Sequence, residues 1–306
     1  MLSRVAENLF WMGRYMERSN SQLRAIRTYY VSVQDGIPFM NPTEINDVFN
    51  QHNDETEKEL VDRLFDVIFN TDIDNSIISN IFKARENARS VQDHITIELW
   101  HTLNEFYLMI RDRQLQNNMK SGDPISVFDG LIQQCMLYFG VLDSYMYRGE
   151  GYYFLNFGKF IERATFTLRF SQIQYEYSNG FKAIGEELLT WRYFLFAMSG
   201  YEFYLKSHAG NIEPKEIFNQ MMDDVLFPHS IAYSFLQIDF FGEKLSEHYP
   251  NKDSEDLKFV IGKANAALKF REQWKSDDNL FEFTKKLNHY ILEIVSNLNK
   301  NYFGLV

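Results

Sequence analysis

Residues 5–30 place the tightest constraint on how this chain can fold. Val5, Leu9, Met12, Met16, Ser19, Leu23, Ile26 and Tyr30 advance in alternating steps of four and three. That spacing puts all eight on one face of an α-helix. A long single-faced helix must bury its stripe against a partner, since most helical stability in proteins comes from packing. The prolines Pro38, Pro42, Pro124, Pro214, Pro228 and Pro250 fall where such spacing breaks, as expected of a residue that costs about 3 kcal/mol inside a helix. Further helices are expected near 54–70, at one or two places in 72–116, and at 126–147, 151–177, 183–200, 214–226, 229–248, 254–274 and 279–300. Asp123 and Pro124 suit an N-cap and first turn. Strand-like alternation is scarce. The expected architecture is all-α.

The first helix has an echo. At a shift of 145 residues Gly13 meets Gly158, Glu17 meets Glu162, Arg18 meets Arg163, Leu23 meets Leu168, Arg24 meets Arg169 and Tyr30 meets Tyr175. A fainter match, Asn75-Ser76-Ile77 against His229-Ser230-Ile231, follows at a shift of 154, and each serine is a candidate helix cap. Internal duplication is the simplest account; the alternatives are chance resemblance between two amphipathic helices for the first match and shared capping serines for the second. The expectation is a helical bundle of two pseudo-repeated halves, about 1–147 and 148–306, within one domain spanning 1–306.

The repeated polar residues define the first candidate site. Glycine inside a helix costs about 1 kcal/mol relative to alanine, so Gly13 and Gly158 mark close approach of another helix or of a ligand. Glu17 shares the face of Gly13, whereas Arg18 points about 100° away, so the two cannot readily pair with each other. Two readings stay open. Glu17 with Arg163, or Glu162 with Arg18, form crossed ion pairs where the halves meet. Alternatively, these groups line a cleft that binds a small charged molecule or peptide end.

A second polar cluster, FKARENARSVQDHITIELWH, contains Arg85, Glu86, Asn87 and Arg89, and reads on through Asp93, His94, Glu98 and His101 as one helix. On that reading Glu98 sits near the core, and His94, Glu98 and His101 are spaced four and three. Glu98-Leu-Trp-His101 mimics half of a di-iron motif, but a second Glu-x-x-His is missing. No metal is expected, nor any cofactor: phosphate-loop, dinucleotide, zinc-protease and nucleophile-elbow motifs are all absent from the sequence.

Composition narrows the function classes. Forty-two acidic residues against 31 basic ones give a net charge of −11, with no basic run, which argues against nucleic acid. Cys135 is alone in an apolar helical stretch and reads as a core residue in a cytoplasmic protein. No segment reads as the roughly 20 apolar residues of a membrane span. The amphipathic start contains Glu7 and Glu17 and recurs in mid-chain, so it is expected to belong to the fold rather than to a leader.

MLSRVAENLFWMGRYMERSNSQLRAIR together with ARENARSVQDHITIELWHTLN resembles the bacterial alpha-E family, a helical domain of unknown function named for its Glu-Arg motif. The resemblance spans nearly the whole chain and departs at Gln92 and His101, where the family pattern is more basic. It implies a gene beside, or fused to, a circularly permuted ATP-grasp protein, and often near a transglutaminase-like protein. It points to Glu17 and Arg18 first, then Arg85, Glu86, Asn87 and Arg89. The implied function is a non-catalytic partner or substrate-presenting subunit of an ATP-grasp amide ligase. The alternative is an enzyme using a Glu/Arg-lined cleft for acid-base or peptide-transfer chemistry.

Overall fold

Two long helices cross at the centre of the molecule and the rest pack around them. The computed structural model describes residues 1–41, 59–178, 180–208, 210–248, 252–270 and 277–304. Among these the chain forms thirteen α-helices and no strand. The expected short helix near 54–70 is seen as Leu60–Phe69, its earlier residues lying outside the described ones, as do Pro42 and Pro250.

Helix α1 (Ser3–Gln34) packs against α7 (Glu150–Tyr177) along most of its length. Leu9, Met12, Met16, Ser19, Leu23 and Ile26 of the sequence stripe are all buried. Around this pair, α3 (Ile77–Ser90), α6 (Pro124–Tyr145) and α8 (Glu186–Ala197) lie on α1. Helix α11 (Ile231–His248) lies on α7. The short α2 (Leu60–Phe69), α4 (Ile97–Ile110) and α5 (Arg113–Ser121) complete the first side. On the other side stand α9 (Tyr201–Ser207), α10 (Pro214–Asp223), α12 (Lys252–Lys269) and α13 (Asp277–Leu298), closed by a π-turn over Asn299–Phe303.

Local chemistry explains several boundaries. Ser76 and Ser230 both accept backbone N–H groups, from Ser79 at 3.3 Å and Tyr233 at 2.9 Å, and so cap α3 and α11. Asp123 accepts from Ile125 N at 3.0 Å, with Pro124 in the first turn of α6. Pro214 likewise opens α10.

Three expectations need correction. The polar run after Arg89 is not one helix: α3 stops at Ser90, a 3₁₀ turn covers Gln92–His94, and α4 restarts at Ile97. Thr96 makes the break, its hydroxyl accepting Leu99 N at 3.3 Å as an N-cap. Glu98 is consequently exposed rather than near the core. The helix expected over 183–200 ends at Ala197, and a separate helix, α9, follows. Finally, α6 is long and apolar enough, by length and composition, to cross a membrane. Its inner face, with Val127, Phe128, Leu131, Cys135, Tyr138 and Leu142, is buried against the rest of the protein.

Candidate functional site

The crossing of α1 and α7 is built on the two repeated glycines. A Cβ on Gly13 would sit 2.0 Å from the backbone oxygen of Leu155, and one on Gly158 would sit 2.1 Å from that of Phe10. No side chain can occupy either point while the helices stay in place.

One turn beyond the glycines come the Glu-Arg steps, and both crossed pairs form. Arg163 donates Nε and Nη2 to Glu17 at 2.6 and 3.0 Å. Arg18 donates Nε and Nη2 to Glu162 at 2.6 and 3.1 Å. These are two-point forks, the strong form of carboxylate recognition. Arg14 adds a further bond to Glu162 at 2.8 Å, and Arg18 reaches Asn75 Oδ1 at 3.1 Å. Arg163 also donates to the Pro228 carbonyl at 3.1 Å. Glu17 is completely buried, at 0% exposure. Glu162 is nearly so, and although burial works against its charge, Arg18 and Arg14 hold its carboxyl down at about 2.

The seam carries more positive charge than these carboxylates answer. Lys159, buried next to Gly158, lies over the rings of Phe139 and Phe160 at 4.4 and 5.3 Å. Burial, and then Arg163, push its ammonium down to about 8. Arg24 is buried as well, and burial pulls its guanidinium down to about 10. Its Nη1 donates to Ser199 Oγ at 2.9 Å, its Nε donates weakly to the Asn20 carbonyl at 3.4 Å, and the His229 ring nitrogens lie 3.2 and 3.4 Å from Nη1 and Nη2. Lost hydration, then the charges of Arg24, Arg163 and Lys159, keep the His229 imidazole well below its usual range, hence neutral.

The second cluster is local to α3 and α4. Arg85 donates to Asn104 Oδ1 at 2.8 Å and to Glu86 at 2.9 Å, and lies over Tyr107 and Trp100 at 4.8 and 5.3 Å. Glu86 also pairs with Arg89 at 2.5 Å, while Asn87 is half-buried beside them. His94, on the 3₁₀ turn, shares no helical face with Glu98 and His101. Among the described residues no three His, Cys, Asp or Glu side chains are grouped to hold a metal. Cys135 is buried, and burial pushes its thiol up, away from nucleophilic use.

A family model described as "a predicted alpha-helical domain with a conserved ER motif" matches residues 1–303. The chain belongs to the Alpha-E family. Its sequence holds two Glu-Arg steps, at 17–18 and 162–163, and these are the four residues that interlock at the α1–α7 seam. No curated protein and no solved structure matches the chain. In this Alpha-E chain Arg14 and Lys159 are not singled out by the sequence, and Arg24 and His229 enter there only as repeat matches. Arg14 was legible, because it precedes Arg18 by one turn. So was Arg24, since Gly13, Glu17, Asn20 and Arg24 step by four, three and four along the face that meets α7.

Proposed function

We propose that this Alpha-E protein is a non-catalytic helical partner that scaffolds, or presents substrate to, an ATP-grasp amide ligase. One observation carries the non-catalytic part: both Glu-Arg carboxylates are buried and paired to arginines, Glu17 to Arg163 and Glu162 to Arg18 and Arg14. A general acid or base must reach its proton and titrate near the working pH, and Glu162, held at about 2, is far from that. Among the described residues, the principal clefts are lined by neither Glu17 nor Glu162. The motif therefore acts as a clamp between helices. The ligase, and a transglutaminase-like protein acting in the same system, follow from the family resemblance, with the cytoplasm as the setting.

The duplication reading is part of this proposal. Under the shift of 145, Phe10 corresponds to Leu155, so each glycine meets the counterpart of the other's neighbour, and each glutamate meets the counterpart of its own arginine. Ser76 and Ser230 cap helices that lie on α1 and α7 respectively. Such reciprocity is what two copies of one unit related by an approximate two-fold axis produce.

The test is co-expression with the ATP-grasp protein encoded beside it. The expected outcome is a complex that survives size-exclusion chromatography and amide-bond formation that rises when the Alpha-E protein is added. Absence of a complex, with ligase turnover indifferent to this protein, would overturn the proposal.

A further inference from the structure

A cleft of about 680 Å³ runs between α1, α6 and α8, beside the clamp. Its α1 wall is the row Arg24, Thr28, Val31 and Asp35, spaced four, three and four along one face. Arg24 and Ser199 stand at one end and Asp35 at the other. At 1.5 Å per residue, about 16 Å of helix axis separates them. The walls between are largely apolar, with Ile132 and Met136 of α6 and Leu189 and Phe196 of α8.

The charges in this cleft are unevenly answered. Arg27 is taken up by Asp129, Nε to Oδ1 at 2.5 Å. Asp35 accepts the Tyr193 hydroxyl at 2.6 Å and forms no ion pair among the described residues, and Arg192, which also lines the cleft, lies over the rings of Phe196 and Tyr201 at 5.6 and 5.3 Å. Arg24 meets no carboxylate among the described residues, although it is 9% exposed. Its guanidinium has five N–H hydrogens. The acceptors facing them are the Asn20 carbonyl, the Ser199 hydroxyl and one nitrogen of a neutral imidazole, since such a ring accepts at a single nitrogen. Among the described residues this leaves the two Nη2 hydrogens, beside His229 Nδ1 at 3.4 Å, for a ligand. Ser199 is also the sole non-glycine with a left-handed backbone among the described residues, at φ 54°, so its hydroxyl is held against Arg24 at some conformational cost.

We propose that this cleft binds a short linear peptide, its C-terminal carboxylate on Arg24, its apolar side chains along the walls and its amino end toward Asp35. A single buried guanidinium with free donors on Nη2 matches a monoanionic carboxylate through charge-assisted hydrogen bonds. A peptide extended at about 3.3 Å per residue covers the distance from Arg24 to Asp35 with roughly five residues. This inference rests on the reading that the protein presents a substrate, and it names the class of that substrate.

The test uses the full chain alone, without the ligase, so failure to bind peptide and failure to bind the ligase are separate results. Titration calorimetry is run with a free-ended pentapeptide of alanine and leucine, its C-terminal amide, its N-acetylated form and inorganic phosphate. The free acid is expected to bind, the amide to lose roughly tenfold or more in affinity, and acetylation to weaken binding less. Arg24→Gln is expected to bring acid and amide to the same affinity. Met136→Glu, at a largely exposed wall position that leaves the core alone, is expected to weaken the acid more than the amide. Equal binding of acid and amide to the native protein, no binding of either up to millimolar concentration, or tighter binding of phosphate than of peptide would each overturn the proposal.

Discussion

Replacing Gly13 by alanine puts a methyl group where the structure has the backbone of another helix. The new Cβ would lie 2.0 Å from Leu155 O and 3.0 Å from Leu155 C, whereas ordinary contact begins at 3.4 Å. The obstructing atoms are backbone, so no rotamer change relieves the overlap, and α1 must move off α7 by at least about 1 Å. A gap of 0.5–1 Å already forfeits a quarter to a half of each dispersion contact. The Glu17–Arg163 and Arg18–Glu162 pairs, both at 2.6 Å, lie one turn away and would be stretched with it. Against this, alanine gains about 1 kcal/mol of helix propensity. Overpacking costs about 1–3 kcal/mol where side chains can yield, and more where backbone is struck, so the net loss is expected at roughly 2–4 kcal/mol. Urea unfolding followed by far-ultraviolet circular dichroism measures it, with Gly140→Ala as the internal standard. Gly140 lies within α6 with nothing inside 4 Å of its added Cβ, so alanine there is expected to leave stability unchanged or raise it by up to about 1 kcal/mol. If Gly13→Ala proves as stable as Gly140→Ala, the close crossing of α1 and α7 is wrong.

Three further outcomes follow from the buried charges. Glu162 is held at about 2 in the fold against an ordinary 4.5, so its contribution is complete above pH 4.5 and is lost as pH falls toward 2; Glu162→Gln should flatten that part of a stability–pH curve, a change on the order of 3 kcal/mol. His229 is neutral in the fold and kept well below 6.5, so the unfolded chain takes up a proton first and stability falls as pH drops below 6.5; His229→Asn should remove that component in urea unfolding at pH 5 against pH 8. Lys159 is buried on aromatic rings with no carboxylate paired to it among the described residues, so Lys159→Met should raise the unfolding free energy by roughly 1–3 kcal/mol at pH 7, and a loss instead would mean that the ammonium has a favourable partner.

What could be read from sequence divides along physical lines. The α1 stripe, the two glycines and the crossed Glu-Arg residues were legible because helical periodicity and a fixed shift between two similar stretches are written in the chain itself. The break at Val91–Thr96 was missed because apolar residues on both sides keep helical spacing, although Thr96 ahead of Ile97 is a cap signal in its own right. The peptide-sized cleft was not legible. It depends on three helices meeting, and on Arg24 being left without a carboxylate by packing that no local pattern encodes. Arg85, Glu86 and Arg89 show the converse, a conspicuous charge cluster whose contacts are mostly with one another and with Asn104, Trp100 and Tyr107.

The claim that the Glu-Arg motif is a structural clamp is tested most directly by a double-mutant cycle on Glu17 and Arg163. Glu17→Gln and Arg163→Gln are each expected to cost about 3–5 kcal/mol, because either leaves its partner buried and uncompensated. The double variant should cost far less than the two together, giving a coupling of at least about 1.5 kcal/mol. Additive losses, with coupling near zero, would mean that these side chains do not hold α1 and α7 together.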